Sequence, residues 1–148
     1  DKIPDGATLR IAGGANPRNF SAIEIEESPA IKWLGRISDQ ELIAEYQSAT
    51  AFIFPSLYEG FGLPPLEALA CGCPVLMSNR ASLPEVGGPE QEGAWLYFDP
   101  TDDQSIAASI ERMLAMPVDE VTSFSNRALE RSKIFSWESI ADRIMNSL

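Results

Sequence analysis

An α/β fold built as a doubly wound parallel sheet is what this 148-residue sequence predicts, on three observations. Short apolar runs rich in β-branched and aromatic residues alternate with longer segments of helical periodicity. Glycine or proline closes the runs, as at Gly13, Gly35 and Pro55. Capping-box patterns open two of the helical segments. With an ordinary 45% hydrophobic content, residues 1–148 make one domain with a real core.

Asp5-Gly6 reads as a turn, followed by a short strand Leu9-Arg10-Ile11-Ala12 that ends in Gly13-Gly14. That glycine pair reads equally as a second loop facing a ligand and as a strand-end turn. Between Ala15 and Ser28, the spacing of Phe20, Ile23 and Ile25 after Pro17 predicts a short helix. Ile31-Lys32-Trp33-Leu34 is the next strand, closed by Gly35. Ser38 and Glu41 form a capping box, Ile37 and Leu42 fit the hydrophobic staple around it, and Leu42, Tyr46 and Ala49 continue an apolar face. The Gly35-Arg36-Ile37 loop follows the carboxyl end of its strand, where open α/β sheets bind ligands. Arg36 reads evenly as a ligand contact and as a solvated surface charge.

The chain is organised around Phe52 to Val75. Ala51-Phe52-Ile53-Phe54 is an unbroken apolar run that predicts a central strand buried on both faces. Pro55 ends it, and Ser56 to Gly62 form a loop with glycines at 60 and 62. Pro64 and Pro65 suit the first turn of a helix running to about Ala70, with Gly72 placed to stop it. A strand, a glycine loop and a helix N-terminus in that order make an anion site, because N–H groups and the helix dipole point one way. Glu59 lies in the loop and Glu67 about one turn inside the helix.

Beyond it, Pro74-Val75-Leu76-Met77 reads as a buried strand, Ser78-Asn79-Arg80 as its carboxyl-end loop, and Leu83 to Val86 as a single helical turn. Ala94 to Phe98 is a last strand. Thr101 to Gln104 repeats the capping box, with Ile106, Ile110, Met113 and Leu114 as the buried stripe behind it. A helix spans about Val118 to Ser132, and Ser136 caps a terminal helix carrying Trp137, Ile140, Ile144 and Leu148.

Composition excludes several chemistries. There is no histidine, so Ser-His-Asp catalysis and histidine metal or acid–base work are absent from this sequence. Cys71 and Cys73 read as small buried hydrophobes of a reducing compartment. Asp102-Asp103 looks like a metal pair only superficially, since helix-start chemistry explains it, and no metal site is expected. A net charge of −11 argues against nucleic acid and against an anionic membrane as partners. No apolar run approaches the roughly 18 residues that span a bilayer. The start at Asp1, without methionine, predicts a piece of a longer chain.

Glu59-Gly60-Phe61-Gly62-Leu63-Pro64-Pro65-Leu66-Glu67-Ala68 closely resembles the Glu, seven residues, Glu signature of glycosyltransferase family four, in the C-terminal half of GT-B retaining glycosyltransferases. Gly72-x-Pro74-Val75 and Leu83 to Gly88 also resemble segments of that family, and the likeness runs from about Leu9 to Leu148. The resemblance implies a Rossmann-like donor-binding domain, 1–148. It would lack its first strand and helix, an N-terminal acceptor domain, and the basic Arg/Lys pair that the family carries on an earlier segment. It further implies a cytoplasmic enzyme, at the cytoplasmic membrane face through the missing domain.

Under that resemblance the donor is a nucleotide diphosphate sugar, and no metal or other cofactor is expected. Amides around Gly60, Phe61, Gly62 and Leu63 stabilise the leaving diphosphate. Glu67 reads the ribose diol, because a carboxylate accepts from both hydroxyls. Glu59 is the candidate catalytic residue, holding hydroxyls of the transferred sugar near its cationic anomeric centre; a nucleophilic role is not implied. Gly13 faces the donor, and Arg36 and Ile37 lie by the nucleotide base. The sequence around Ser82 to Gly88 resembles bacterial mannosyltransferases and favours GDP-mannose over a UDP-sugar. The acceptor is a glycan or lipid-linked oligosaccharide bound by the other domain. Two alternatives remain at this point. One is a non-catalytic domain that binds nucleotide sugars, the other a GT-B-like sugar-nucleotide epimerase.

Overall fold

The computed structural model describes residues 6–13, 28–89, 95–136, 139 and 145, and five short parallel strands, five α-helices and a 3-10 turn at Lys133–Phe135 have both ends among them. The chain forms two units, Asp1–Ala44 and Glu45–Leu148. In the first, β1 (Leu9–Ala12) pairs in parallel with β2 (Ile31–Gly35), and the register shifts between Ile11 and Ala12. The helix expected between Ala15 and Ser28 falls almost wholly outside the described residues. Helix α1 (Asp39–Ser48) starts at the expected capping box. The Ser38 N–H donates to Glu41 Oε2 at 2.8 Å, and the Glu41 N–H donates to Ser38 Oγ at 3.3 Å. The first of these bonds, with the serine hydroxyl behind it, holds the Glu41 carboxyl below the usual range.

The second unit holds a parallel sheet ordered β3 (Phe52–Phe54), β4 (Val75–Ser78), β5 (Trp95–Phe98). All four residues of β4 are buried. Successive side chains of a strand point to opposite faces, so the sheet is covered on both sides, as a doubly wound Rossmann-like fold requires. The expected burial of β3 on both faces is corrected here. Its three residues are half-buried, and among the described residues it pairs with β4, which lies between β3 and β5. An apolar run marks a strand but does not encode its place in the strand order.

Helix α2 (Leu63–Ala70) connects β3 to β4 and packs on α5 (Val118–Ser132). It stops at Gly72, whose φ of +74° suits glycine. The Gly72 N–H donates to Leu69 O and the Cys73 N–H to Ala68 O, each at 2.9 Å, the bond pair of a Schellman ending. Between β4 and β5 lies the short α3 (Leu83–Gly87). Helix α4 (Asp103–Leu114) packs on β5.

Two expectations about α4 need correction. Its N-cap is Asp102, not Thr101: the Asp102 carboxylate accepts from the Gln104 N–H at 2.9 Å. Thr101 is drawn away because its N–H and hydroxyl both donate to Asp99, at 2.9 and 2.7 Å. Leu114 is exposed, and Met113 beside it is the buried residue of that turn. At the far end, Ser136 Oγ accepts from the Ser139 N–H at 3.1 Å, as a cap would. Trp137, Ile140, Ile144 and Leu148 lie outside the described residues.

Candidate functional site

Parallel strands bring the segments that follow β3 and β4 to the same edge of the sheet. The first is the loop from Pro55 to Gly62, which carries the acidic residue and glycines singled out above. Glu59 is half-buried there, whereas Gly60, Phe61 and Leu63 are exposed and Gly62 is buried. Gly62 is the N-cap of α2, with φ +98° and ψ +49°. The left-handed conformation favours glycine, and a Cβ at that position would stand 2.7 Å from Leu83 Cδ2 of α3, so the leucine side chain would have to shift. Gly60 has neither constraint: a Cβ there would meet nothing within 4 Å.

Helix α2 begins Leu63-Pro64-Pro65, and the two prolines bring no N–H. The donors at this end are therefore the amides of Gly60, Phe61, Gly62 and Leu63. None of the four has a backbone acceptor among the described residues. They sit at the positive end of α2, an arrangement suited to an anion. Glu67 follows Leu63 by four residues, one helical turn, and both are exposed, so Glu67 lies on the strip leading back to the loop.

Several side chains support this loop, and spacing in the sequence did not reveal them. The Ser82 hydroxyl donates to the Glu59 carbonyl at 3.1 Å. The Phe61 ring meets Phe135 edge-on at 5.9 Å, and the Arg131 guanidinium lies 5.2 Å from the Phe135 centroid. Arg131 Nε donates to Val86 O at 2.8 Å and its Nη2 to Glu85 O at 2.6 Å, closing the carbonyl end of α3. Trp95 Nε1 and the Tyr97 hydroxyl both donate to Gly88 O, at 3.2 and 2.8 Å. Behind the loop, Tyr46 packs edge-on against Phe52 at 5.1 Å. Burial, reinforced by the Glu67 carboxylate and the two thiols, pushes the Tyr46 phenol up to about 12.

Both cysteines are free. Burial raises the Cys71 thiol, helped by Glu67, and pushes Cys73 up to about 12, so neither is an activated nucleophile. Arg80, after β4, pairs with Asp99 at 2.9 Å. Bonds from Thr101 and then from Arg80 hold the Asp99 carboxyl down to about 2. Among the described residues no group of three or more Cys, Asp or Glu is gathered to hold a metal ion, and no helix is long and apolar enough to cross a membrane.

The remaining predicted residues belong to the first unit. The Gly13 N–H donates to Gly35 O at 2.8 Å, a cross-strand bond that extends the pairing of β1 with β2. This brings Gly13 beside the loop with Arg36, which is exposed, and Ile37, which is half-buried.

Comparison with known proteins adds what geometry alone does not. The chain is 42% identical over 118 residues to the O-antigen chain mannosyltransferase B of Escherichia coli, an alignment covering 79% of this chain and 29% of the relative. It is 41% identical to the MMP alpha-(1->4)-mannosyltransferase of Mycolicibacterium hassiacum, covering 71% and 25%. It thus spans under a third of the length of these relatives. Among solved structures, the sucrose-phosphate synthase of Thermosynechococcus elongatus superposes with a TM-score of 0.76 at 28% identity, over 94% of this chain and 37% of that one. The catalytic domain of starch synthase IV from Arabidopsis thaliana superposes at 0.68 and 20% identity, over 79% and 25%, and shares the fold. Residues 2–131 match the family described as glycosyl transferases group 1, and the chain belongs to that family.

Proposed function

We propose that this chain is the C-terminal, donor-binding half of a family-four retaining glycosyltransferase. The enzyme moves a hexose, mannose by the likeness to its relatives, from a nucleotide diphosphate sugar to a glycan or lipid-linked acceptor bound by another domain. It works without a metal, in the cytoplasm. The donor is GDP-mannose in preference to a UDP-sugar. One observation carries the reading. The segment from Glu59 to Glu67 is mounted at the carboxyl edge of a parallel sheet, with four amides at the head of α2 that have no backbone acceptor among the described residues.

In this reading the amides of Gly60, Phe61, Gly62 and Leu63 receive the diphosphate and stabilise the charge that grows as the sugar leaves. The open space around Gly60 lets phosphate oxygens approach the backbone. Glu67, on the exposed strip of α2, accepts from the ribose hydroxyls. Glu59 holds sugar hydroxyls and places negative charge by the anomeric carbon as it becomes cationic. Gly13 is assigned to the donor, and Arg36 and Ile37 to its nucleotide base.

Nucleotide binding tests the assignment of Glu67. Glu67→Gln is expected to weaken a ribonucleoside diphosphate about tenfold, since a charge-assisted bond is worth about 1.5–3 kcal/mol and glutamine keeps part of it. The 2′,3′-dideoxy analogue is expected to lose much less. Isothermal titration with both ligands reads the difference, and equal losses would remove Glu67 from the ribose.

A further inference from the structure

The geometry points to Ser82 as a positioning residue that locks the Glu59–Gly60 peptide in the orientation the donor site needs. The inference rests on the donor-site reading above.

Ser82 stands at the N-cap of α3, where a serine ordinarily accepts a bond from its own helix. Its side chain makes no capping bond. The hydroxyl instead donates at 3.1 Å to the main-chain carbonyl of Glu59, 23 residues earlier. In a trans peptide the carbonyl of one residue and the N–H of the next point in opposite directions. Holding the Glu59 carbonyl therefore also aims the Gly60 N–H, the first of the four amides assigned to the diphosphate.

That peptide is the one most in need of a lock. Gly60 has no side chain and open space around it, so nothing on its own side opposes rotation of the peptide plane. A flipped plane would turn a carbonyl oxygen toward the anion and the N–H away. Two residues later the chain is fixed, because Gly62 packs beneath Leu83 of the same α3. Helix α3 thus touches the loop on both sides of the Gly60-Phe61 pair, by a hydrogen bond at Ser82 and by packing at Leu83.

The lock itself is held firmly. Ala81, just before Ser82, has a φ of +51°, a left-handed conformation that alanine adopts only when its surroundings impose it. At its far end α3 is tied by the two bonds from Arg131 to the carbonyls of Glu85 and Val86. Ser82 is consequently presented from a braced element, and its hydroxyl acts through the peptide without touching substrate.

Steady-state kinetics of the full-length transferase tests this, with Ser82→Ala, Ser82→Thr and Glu59→Gln measured side by side. A single hydrogen bond of ordinary net strength corresponds to a rate change of about three- to tenfold. Ser82→Ala is expected to lower kcat by that factor, with donor KM within about twofold and an unchanged thermal midpoint. Ser82→Thr, which keeps the hydroxyl, restores kcat. The amide resonance of Gly60 should shift in Ser82→Ala and return in Ser82→Thr. Unchanged kcat in Ser82→Ala, with Glu59→Gln still slowed, would overturn the role of Ser82 and leave the donor site standing. Equal losses in the alanine and threonine variants would mark a packing defect and also overturn it. If Glu59→Gln is itself without effect, the underlying donor-site reading falls first.

Discussion

Gly62 shows how much a single position decides. The sequence marks it only as a glycine shortly before two prolines, yet its φ is +98° and a β-carbon there would force the Leu83 side chain to shift. Gly62→Ala is expected to destabilise the fold by about 2 kcal/mol or more, from left-handed backbone and overpacking together, as read by urea denaturation. Tyr46 offers a test at alkaline pH. Its folded value of about 12 lies above the unfolded phenol's roughly 10. The neutral form is therefore favoured by folding. That stability is fully present below about pH 10 and is lost as pH rises through the folded value. Tyr46→Phe keeps the ring against Phe52 and removes the titration. Between pH 9 and 12 (on the order of these two values), the variant's urea midpoint should fall less than that of the parent. Cys73 titrates in both proteins and cancels from the comparison.

At the scale of elements, local signals were legible and distant ones were not. The capping box at Ser38, the Gly72 stop and the prolines opening α2 each act within five residues, so spacing alone revealed them. The order of strands in the sheet is a matter of tertiary pairing, which is why spacing alone did not place β4 between β3 and β5. Thr101 and Asp102 are both capping residue types, and only the competing bonds to Asp99 decide between them. Arg131 reaches α3 across 45 residues, and nothing in its neighbourhood on α5 announces that. Its fork satisfies two carbonyls at a helix end. Arg131→Met should therefore cost about 1.5–3 kcal/mol in urea melts and speed hydrogen exchange across α3. Arg131→Lys should recover only part of this, because an ammonium lacks the planar fork.

For the molecule as a whole, the candidate site was legible as a motif before it was legible as a place. The residues from Glu59 to Glu67 resemble a family signature; the fold adds what surrounds them: α3 beneath the loop, Ser82 on its carbonyl and Phe135 against Phe61. In the proposed reading, the net charge of −11 would repel the diphosphate if charge alone governed binding. Neutral amides at a helix head answer that difficulty, because they act at short range where net charge matters least. The role of Glu59 then becomes the centre of the account. In the proposed reading its carboxylate gains most when the anomeric carbon turns cationic, which assigns its contribution to the transition state and not to donor binding. Steady-state kinetics of Glu59→Gln in the full-length transferase measures this directly. The account predicts a kcat lower by on the order of a hundredfold, with donor KM changed by less than about threefold and no loss of thermal stability. An unchanged kcat with a large rise in donor KM would contradict it and leave Glu59 a substrate-binding residue only.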